Sequence, residues 1–172
     1  KFKFTFNHGV ERKLTMIDLF AGCGGLSLGL EQAGFEPLLV SEISKDAMKT
    51  YLANRDVDKI KAMYDIYDLT DEKLDRNLNE WAVDIDLVAG GPPCQGYSGI
   101  GHRRTFDVER KDIPSNQLYH QMKRVIEKVR PKIFLFENVK GLLSGRWTKS
   151  GEKGEIWNDV STTMKSIDGY VA

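Results

Sequence analysis

Apolar runs of strand length alternate along this chain with stretches whose apolar residues recur every three or four positions. That alternation of strand and helix builds a parallel sheet covered by helices. Leu14 to Phe20 predicts the first strand. The glycines from Gly22 to Gly25 predict a tight turn, and a helix then runs to about Gln32 and stops at Gly34, which tolerates the left-handed backbone of a helix end. Pro37 is expected to open a second strand reaching Ser41 or Glu42. Lys45 to Asn54 predicts a helix with Ala47, Met48, Tyr51 and Leu52 on one face. A weaker third strand, Lys61 to Tyr64, precedes an amphipathic helix from Asp71 to Trp81. Asp86 to Ala89 reads as a short buried strand that ends abruptly in Gly90, Gly91, Pro92 and Pro93. Gly96 to Ser115 has no usable periodicity and is expected to be a long loop of the kind kept for function. Asn116 to Val129 predicts a helix and Ile133 to Phe136 a fifth strand. A second polar loop, Gly145 to Gly154 with Arg146, Lys149 and Lys153, precedes a last helix from about Ile156 to Ile167. The expected class is α/β, a mainly parallel sheet with helices on both faces.

Composition narrows this picture in a few places. With 41% hydrophobic content, 172 residues suffice for one domain with a core and are short for two, so a single domain over 1–172 is expected. The 25 basic and 25 acidic residues cancel, so bulk charge names no partner, although local clusters still could. No secretory signal is visible, and no apolar run approaches the roughly 20 residues that cross a bilayer. An intracellular, cytoplasmic setting without a membrane partner is expected. Cys23 and Cys94 are far apart, and neither has a cysteine or histidine at ligand spacing, so neither zinc nor a disulfide is expected.

Three constellations carry candidate chemistry. The first is DLFAGCGGLSLGL from Asp18, an apolar strand entering glycines and then a helix, which lets backbone approach a nucleotide-like cofactor and points helix N–H groups at it. Such a turn also serves as a plain tight connection. Glu42 follows about 20 residues on, at a strand end, where a carboxylate accepts hydrogen bonds from ribose hydroxyls; its other reading is an acid at a helix N-terminus. The second is GGPPCQGYS from Gly90, where a buried strand delivers Cys94 to the carboxyl edge of the sheet between rigid prolines and a loop. A thiol there is a candidate nucleophile once a local positive field raises its thiolate fraction, and otherwise a small buried hydrophobe. The third is FENVKGL from Phe136, which places Glu137 and Asn138 at the end of the fifth strand, on the same edge as Cys94. A carboxyl in a dry pocket holds or shares a proton, which suits it to hydrogen-bond and activate a heterocyclic ring.

In this order, DLFAGCGG, Glu42, Asp65-Ile66, GGPPCQGYS and FENVKGL resemble the signature blocks of the DNA cytosine-5 methyltransferases, over about Asp18 to Leu143. The resemblance implies a Rossmann-like, S-adenosylmethionine-dependent fold, here incomplete, acting on double-stranded DNA without a metal. It implies that Phe20, Gly22, Cys23 and Gly25 line the cofactor pocket, that Glu42 holds the ribose, that Ile43 also binds the cofactor, and that Asp65 with Ile66 meets the adenine. Leu118 would also touch the cofactor, although DIPSNQLY departs from the family's pattern there. Cys94 would add to a flipped-out cytosine held by Glu137. Gln95 and Ser98 would line the vacated space, and Arg103 and Arg104 would meet phosphates. The chain lacks the target-recognition region and later blocks of the family, so it is expected to be a partial catalytic domain, completed by a C-terminal half or a second subunit. Alternatives are a tRNA cytosine-5 methyltransferase and a cofactor-binding fragment inactive without its other half. A restriction-modification role in a prokaryotic-type cell would follow from the same resemblance.

Overall fold

The computed structural model describes residues 12–93 and 110–171. Its contacts gather into two compact units, Lys1–Gly90 with Val129–Leu135, and Gly91–Lys128 with Phe136–Ala172.

The first unit is built on β1 (Leu14–Leu19), α1 (Gly25–Gln32), β2 (Phe35–Ser41), α2 (Lys45–Ala53), β3 (Lys61–Met63), α3 (Asp71–Trp81) and β4 (Leu87–Gly90). Later in the chain α4 (Tyr119–Val129) leads to β5 (Ile133–Phe136), and the strands line up as β3-β2-β1-β4-β5. β1 pairs parallel with β2 on one side and β4 on the other, and β2 pairs parallel with β3. Register puts Asp18, Val40 and Ala89 side by side on one face. There Met16, Leu87 and Ala89 pack under Leu26 and Leu30 of α1, while Val40 packs with Met48 and Tyr51 of α2. Ile17, Leu19, Leu39 and Val88 point the other way and are fully buried. Right-handed crossover from β3 back to β4 places α3 on that opposite face.

Pro37 does not open β2. The strand begins two residues earlier, at Phe35, and Pro37 sits opposite Met16 just before the register shifts, so that Ile17 next pairs with Leu39. A proline has no N–H to donate, and an irregularity is where a sheet tolerates one. α2 and α3 begin where a hydroxyl caps them: Ser44 accepts from the Ala47 N–H and Thr70 from the Lys73 N–H, with Asp46, Asp71 and Glu72 in the first turns.

In the second unit, short 3-10 turns at Arg110–Asp112 and Pro114–Gln117 lead into α4, which therefore starts three residues later than the pattern predicts. Pro114 favours the tight turn, since its missing N–H costs nothing in a first turn. Another 3-10 turn, Lys140–Ser144, precedes α5 (Glu155–Lys165). α4 buries Tyr119, Met122, Val125 and Ile126, α5 buries Ile156, Val160 and Met164, and the Tyr119 hydroxyl donates to Asp159 at 2.9 Å. The polar loop before α5 closes around one acid. The Glu155 carboxylate accepts backbone N–H groups of Trp147, Thr148 and Glu152, so that loop is folded by its own backbone donors.

At the amino end of the sheet lies a buried anchor that sequence reading passed over. Asp86, 2% exposed, accepts from the Thr15 backbone N–H at 2.9 Å, from both terminal nitrogens of Arg12 and from Lys132 at 2.8 Å. Burial alone would raise its pKa, but these donors outweigh it and hold the carboxyl well below the usual carboxylate range. Beside it a recess of about 740 Å³ runs between Arg12, Val83, Asp84, Arg130 and Lys132. Among the described residues, no helix is long and apolar enough to cross a membrane.

A depressed native pKa contributes stability that is present above the unfolded value near 3.9 and is lost as pH falls below it. Asp86→Asn should therefore cost roughly 2 kcal/mol at neutral pH, the low side for a broken buried pair because Arg12 and Lys132 both reach water. Urea unfolding at several pH values checks this: the gap between variant and wild type should narrow progressively as pH falls below about 4, and a gap that widens there refutes the anchor.

Candidate active site

β1 ends in a backbone that no ordinary connection needs. Phe20 stands at φ 58°, in the left-handed region, which costs a bulky residue on the order of 1 kcal/mol or more and marks a constrained position. Gly22 and Gly24 follow at φ 55° and 89°, where glycine carries no such penalty. α1 then starts at Gly25 with no side-chain cap and no acid in its first turn, in contrast to α2 and α3. Its first N–H groups, at the positive end of the helix, are thus left for a ligand.

Glu42 sits at the neighbouring strand end and is tied to that turn. One oxygen accepts the Gly22 N–H at 2.8 Å and the other the Ser44 N–H at 2.7 Å, while its own N–H donates to the Met63 carbonyl. Each oxygen keeps a further lone pair, so a carboxylate held this way still accepts from hydroxyls. Ile43 beside it is 72% exposed, an apolar side chain left open to water at the same edge. One strand further out, Asp65 caps a 3-10 turn by accepting the Tyr67 N–H at 2.9 Å, and Ile66 is buried beneath it. Phe20, Gly22, Gly25, Glu42, Ile43, Asp65 and Ile66 therefore all emerge from the carboxyl ends of β1, β2 and β3, and Cys23 is exposed within the turn. Strand order reverses between β1 and β4, and the crevice at such a point is where open α/β sheets take ligands. These residues fit a nucleoside-bearing cofactor: backbone donors, a ribose-matched carboxylate and an apolar wall.

Beneath the turn lies a polar chain that periodicity did not disclose. Asp18, fully buried, accepts from Ser27 at 2.5 Å, and Ser27 meets the Tyr51 hydroxyl at 2.8 Å. The other Asp18 oxygen has no hydrogen-bond partner. Burial pushes the Asp18 pKa up to about 6, with the Ser27 hydroxyl and the Arg55 charge opposing. Arg55 completes the chain by bonding Glu31, the Tyr51 carbonyl and the Gly24 carbonyl. Tyr51 was visible as a core position, and an arginine one helical turn beyond it was the available signal.

The second unit brings the other two constellations together by backbone. The Asn138 side chain donates to the Pro92 carbonyl at 3.0 Å and accepts the Val139 N–H. A Cβ at Gly91 would lie 2.9 Å from the Glu137 carboxylate. A side chain at Gly91 would therefore push the Glu137 carboxylate from its present place. Glu137 is exposed rather than dry. Next to it Phe136, Asn138, Leu142, Leu143 and Trp157 line a recess of about 190 Å³. Leu118, half-buried, occupies the step from the 3-10 turn into α4. Cys94, Gln95, Ser98, Arg103 and Arg104 lie outside the described residues. Among the described residues no group of His, Cys, Asp and Glu is arranged to hold a metal ion.

A parallel sheet with an uncapped glycine turn and a carboxylate at the next strand end defines an α/β protein whose ligand crevice lies at the carboxyl edge of the sheet. Residues 14–171 match the C-5 cytosine-specific DNA methylases, and the chain belongs to that family. It is 44% identical over 131 residues to the Type II methyltransferase M.XorII of Xanthomonas oryzae pv. oryzae, covering 76% of this chain and 29% of that protein. With M.AgeI of Thalassovita gelatinovora it shares 41% over 156 residues, covering 91% of this chain and 33% of the relative. The chain thus spans about a third of the length of these relatives. Among solved structures, a chain described as a prophage-encoded DNA modification methyltransferase of E. coli superposes with TM-score 0.65 at 30% identity, over 88% of this chain and 38% of that one. The Dnmt2 methyltransferase of S. pombe, at 23% identity and TM-score 0.56, shares the fold, over 87% of this chain and 40% of its own.

A raised native pKa works opposite to that of Asp86. Its stability contribution is full below about pH 4 and is lost as pH rises through about 6, because the native state then holds a buried charge. Relative to Asp18→Asn, the wild type should lose on the order of 2 to 3 kcal/mol between pH 4 and pH 7. Parallel unfolding curves of the two proteins at both pH values, separated by a constant gap, would rule this out.

Proposed function

We propose that this chain is the cofactor-binding and nucleophile-bearing part of a catalytic domain that methylates carbon five of cytosine in double-stranded DNA. The observation that carries it is the pairing of the strand ends around Gly91 and Glu137, with Asn138 fastened to Pro92 two residues before Cys94. S-adenosylmethionine is the proposed donor, held by the Gly22–Gly25 turn, Phe20, Glu42, Ile43, Asp65, Ile66 and Leu118; when bound, it supplies an electrophilic methyl group on a sulfonium sulfur.

The protein's own groups then act in sequence. A cytosine inside the duplex hides ring carbon six, so the base must leave the stack. The Cys94 thiolate forms a sulfur–carbon bond at carbon six. Glu137, hydrogen-bonded to ring nitrogen three and the exocyclic amine, stabilises the electron pair pushed through the ring and makes carbon five nucleophilic. After carbon five is methylated, loss of its proton returns the electron pair and breaks the bond to Cys94, restoring the thiolate. Gln95 and Ser98 line the opening, while Arg103 and Arg104 meet phosphates and account for salt-dependent binding. The target-recognition surface and the remaining blocks come from a C-terminal half or a second subunit. An intracellular modification role, as in the Type II relatives, follows from this reading.

In the full-length enzyme, DNA carrying 5-fluorocytosine should trap a covalent adduct, since fluorine cannot leave as a proton. Cys94→Ser should abolish the adduct seen on a denaturing gel, and an adduct that survives the change overturns the nucleophile. Gly91→Ala should lower the rate of methyl transfer by about tenfold or more through displacement of Glu137, with little change in melting temperature because a side-chain end can yield where backbone cannot. A variant with wild-type rate would show that the close passage of Glu137 over Gly91 is irrelevant to catalysis.

A further inference from the structure

The glycine turn is held from two sides, and only Glu42 has a recognised counterpart in the reading above. On the other side stands Arg55, just past the end of α2, whose side chain is 8% exposed. Its Nε donates to Glu31 of α1 at 2.5 Å, one terminal nitrogen to the Tyr51 carbonyl at 3.0 Å, and the other to the Gly24 carbonyl at 3.1 Å. The guanidinium lies 3.8 Å from the centre of the Tyr51 ring. Gly24 is packed so closely on this pair that a Cβ there would meet Tyr51 Cδ2 at 2.6 Å and Arg55 Nη1 at 2.7 Å. The Gly24 carbonyl also accepts the Leu28 N–H, the first turn of α1, and the Gly24 N–H closes the turn onto Ala21.

We propose that Arg55 is a positioning residue for the cofactor: it fixes the Gly24 carbonyl and so sets where the amides of the turn and the start of α1 point. This rests on the reading of that turn as the seat of S-adenosylmethionine. A peptide plane has a carbonyl on one side and the next N–H on the other, so pinning the Gly24 oxygen from below aims the Gly25 N–H the opposite way. Arginine suits the task because its donors form a rigid planar fork and its charge persists at all relevant pH, whereas an ammonium on a flexible stem holds one acceptor at a time. Glu31 and the Tyr51 ring keep the fork in plane. Without it, a turn of glycines returns to the broad conformational range those residues otherwise have, and the cofactor must then supply the ordering itself.

The test is Arg55→Lys in the full chain, which retains the charge opposite Glu31 and removes the fork. Hydrogen exchange without cofactor should become about tenfold faster at the Gly24 and Leu28 amides, while Ile17 and Val88 in the central strands remain protected. Titration with S-adenosylmethionine, at a temperature where both proteins are fully folded, should show affinity weakened by roughly fivefold to tenfold. Unchanged exchange at Gly24 and Leu28 overturns the clamp, and faster exchange with undiminished affinity overturns its role in cofactor placement. Absence of binding by the wild type would sink the donor assignment instead, and exchange would still judge the clamp. Should Arg55→Lys fail to fold, Glu31→Gln removes only the brace. Faster exchange at the same two amides then supports the clamp, and unaltered exchange refutes it.

Discussion

β1 is hydrogen-bonded along both edges by strands running its own way, and that arrangement decides where chemistry happens in this chain. Parallel neighbours finish at the same edge of a sheet. The turn after β1, Glu42 after β2, Asp65 after β3 and Gly90 at the end of β4 therefore emerge together although the sequence scatters them. Leu19 pairs with Gly90 at the last position, so the reversal of strand order falls between a strand followed at once by a strained Phe20 and one ending in glycine. The opposite edge carries Asp86, which joins the starts of β1 and β4 to the approach of β5 through Thr15, Arg12 and Lys132.

Two buried carboxylates thus stand at the two ends of the same sheet with opposite electrostatics. Asp86 is surrounded by cations and a backbone donor, and its charge stabilises the fold. Asp18 is given only the hydroxyl of Ser27, itself linked to Tyr51, and burial disfavours its charge. The unfavourable one is the one beneath the glycine turn. If the turn seats a cofactor as proposed, it needs to be rigid, and a short polar chain from Asp18 through Ser27 and Tyr51 to Arg55 supports it at a cost in stability that an apolar filling would avoid.

Much of this architecture can be read from residue order. α3 begins at the Asp71 and ends at the Trp81 that periodicity marks, because Thr70 caps it and its apolar spacing is regular; β5 likewise coincides with the run Ile133–Phe136. Pro37 misleads because a proline usually marks a strand's beginning, whereas here a register shift inside β2 absorbs it. Asn116 misleads because helical spacing continues into a 3-10 turn, whose hydrogen bonds are one residue shorter. Of the site, Glu42 and the glycines are legible from motif order. The clamp is not, since Arg55 and Gly24 are 31 positions apart and nothing local says that one reaches the other. Asp86 escaped for the same reason: its partners Arg12 and Lys132 lie 74 positions before it and 46 after it.

The two proposed halves of the chemistry are prepared by different physical means. The cofactor turn is fixed by side chains, through Glu42 above and Arg55 below. Glu137 is instead placed by backbone, since Gly91 leaves it room and Asn138 binds the Pro92 carbonyl. Its carboxylate remains exposed, so water screens it before any base arrives. The hydrogen bond proposed between Glu137 and a cytosine would gain strength only as the base displaces this water. In the proposed mechanism, flipping therefore does more than expose ring carbon six: the incoming base would supply the low-dielectric wall that makes Glu137 effective, and a cytosine left in the stack would meet only a solvated side chain.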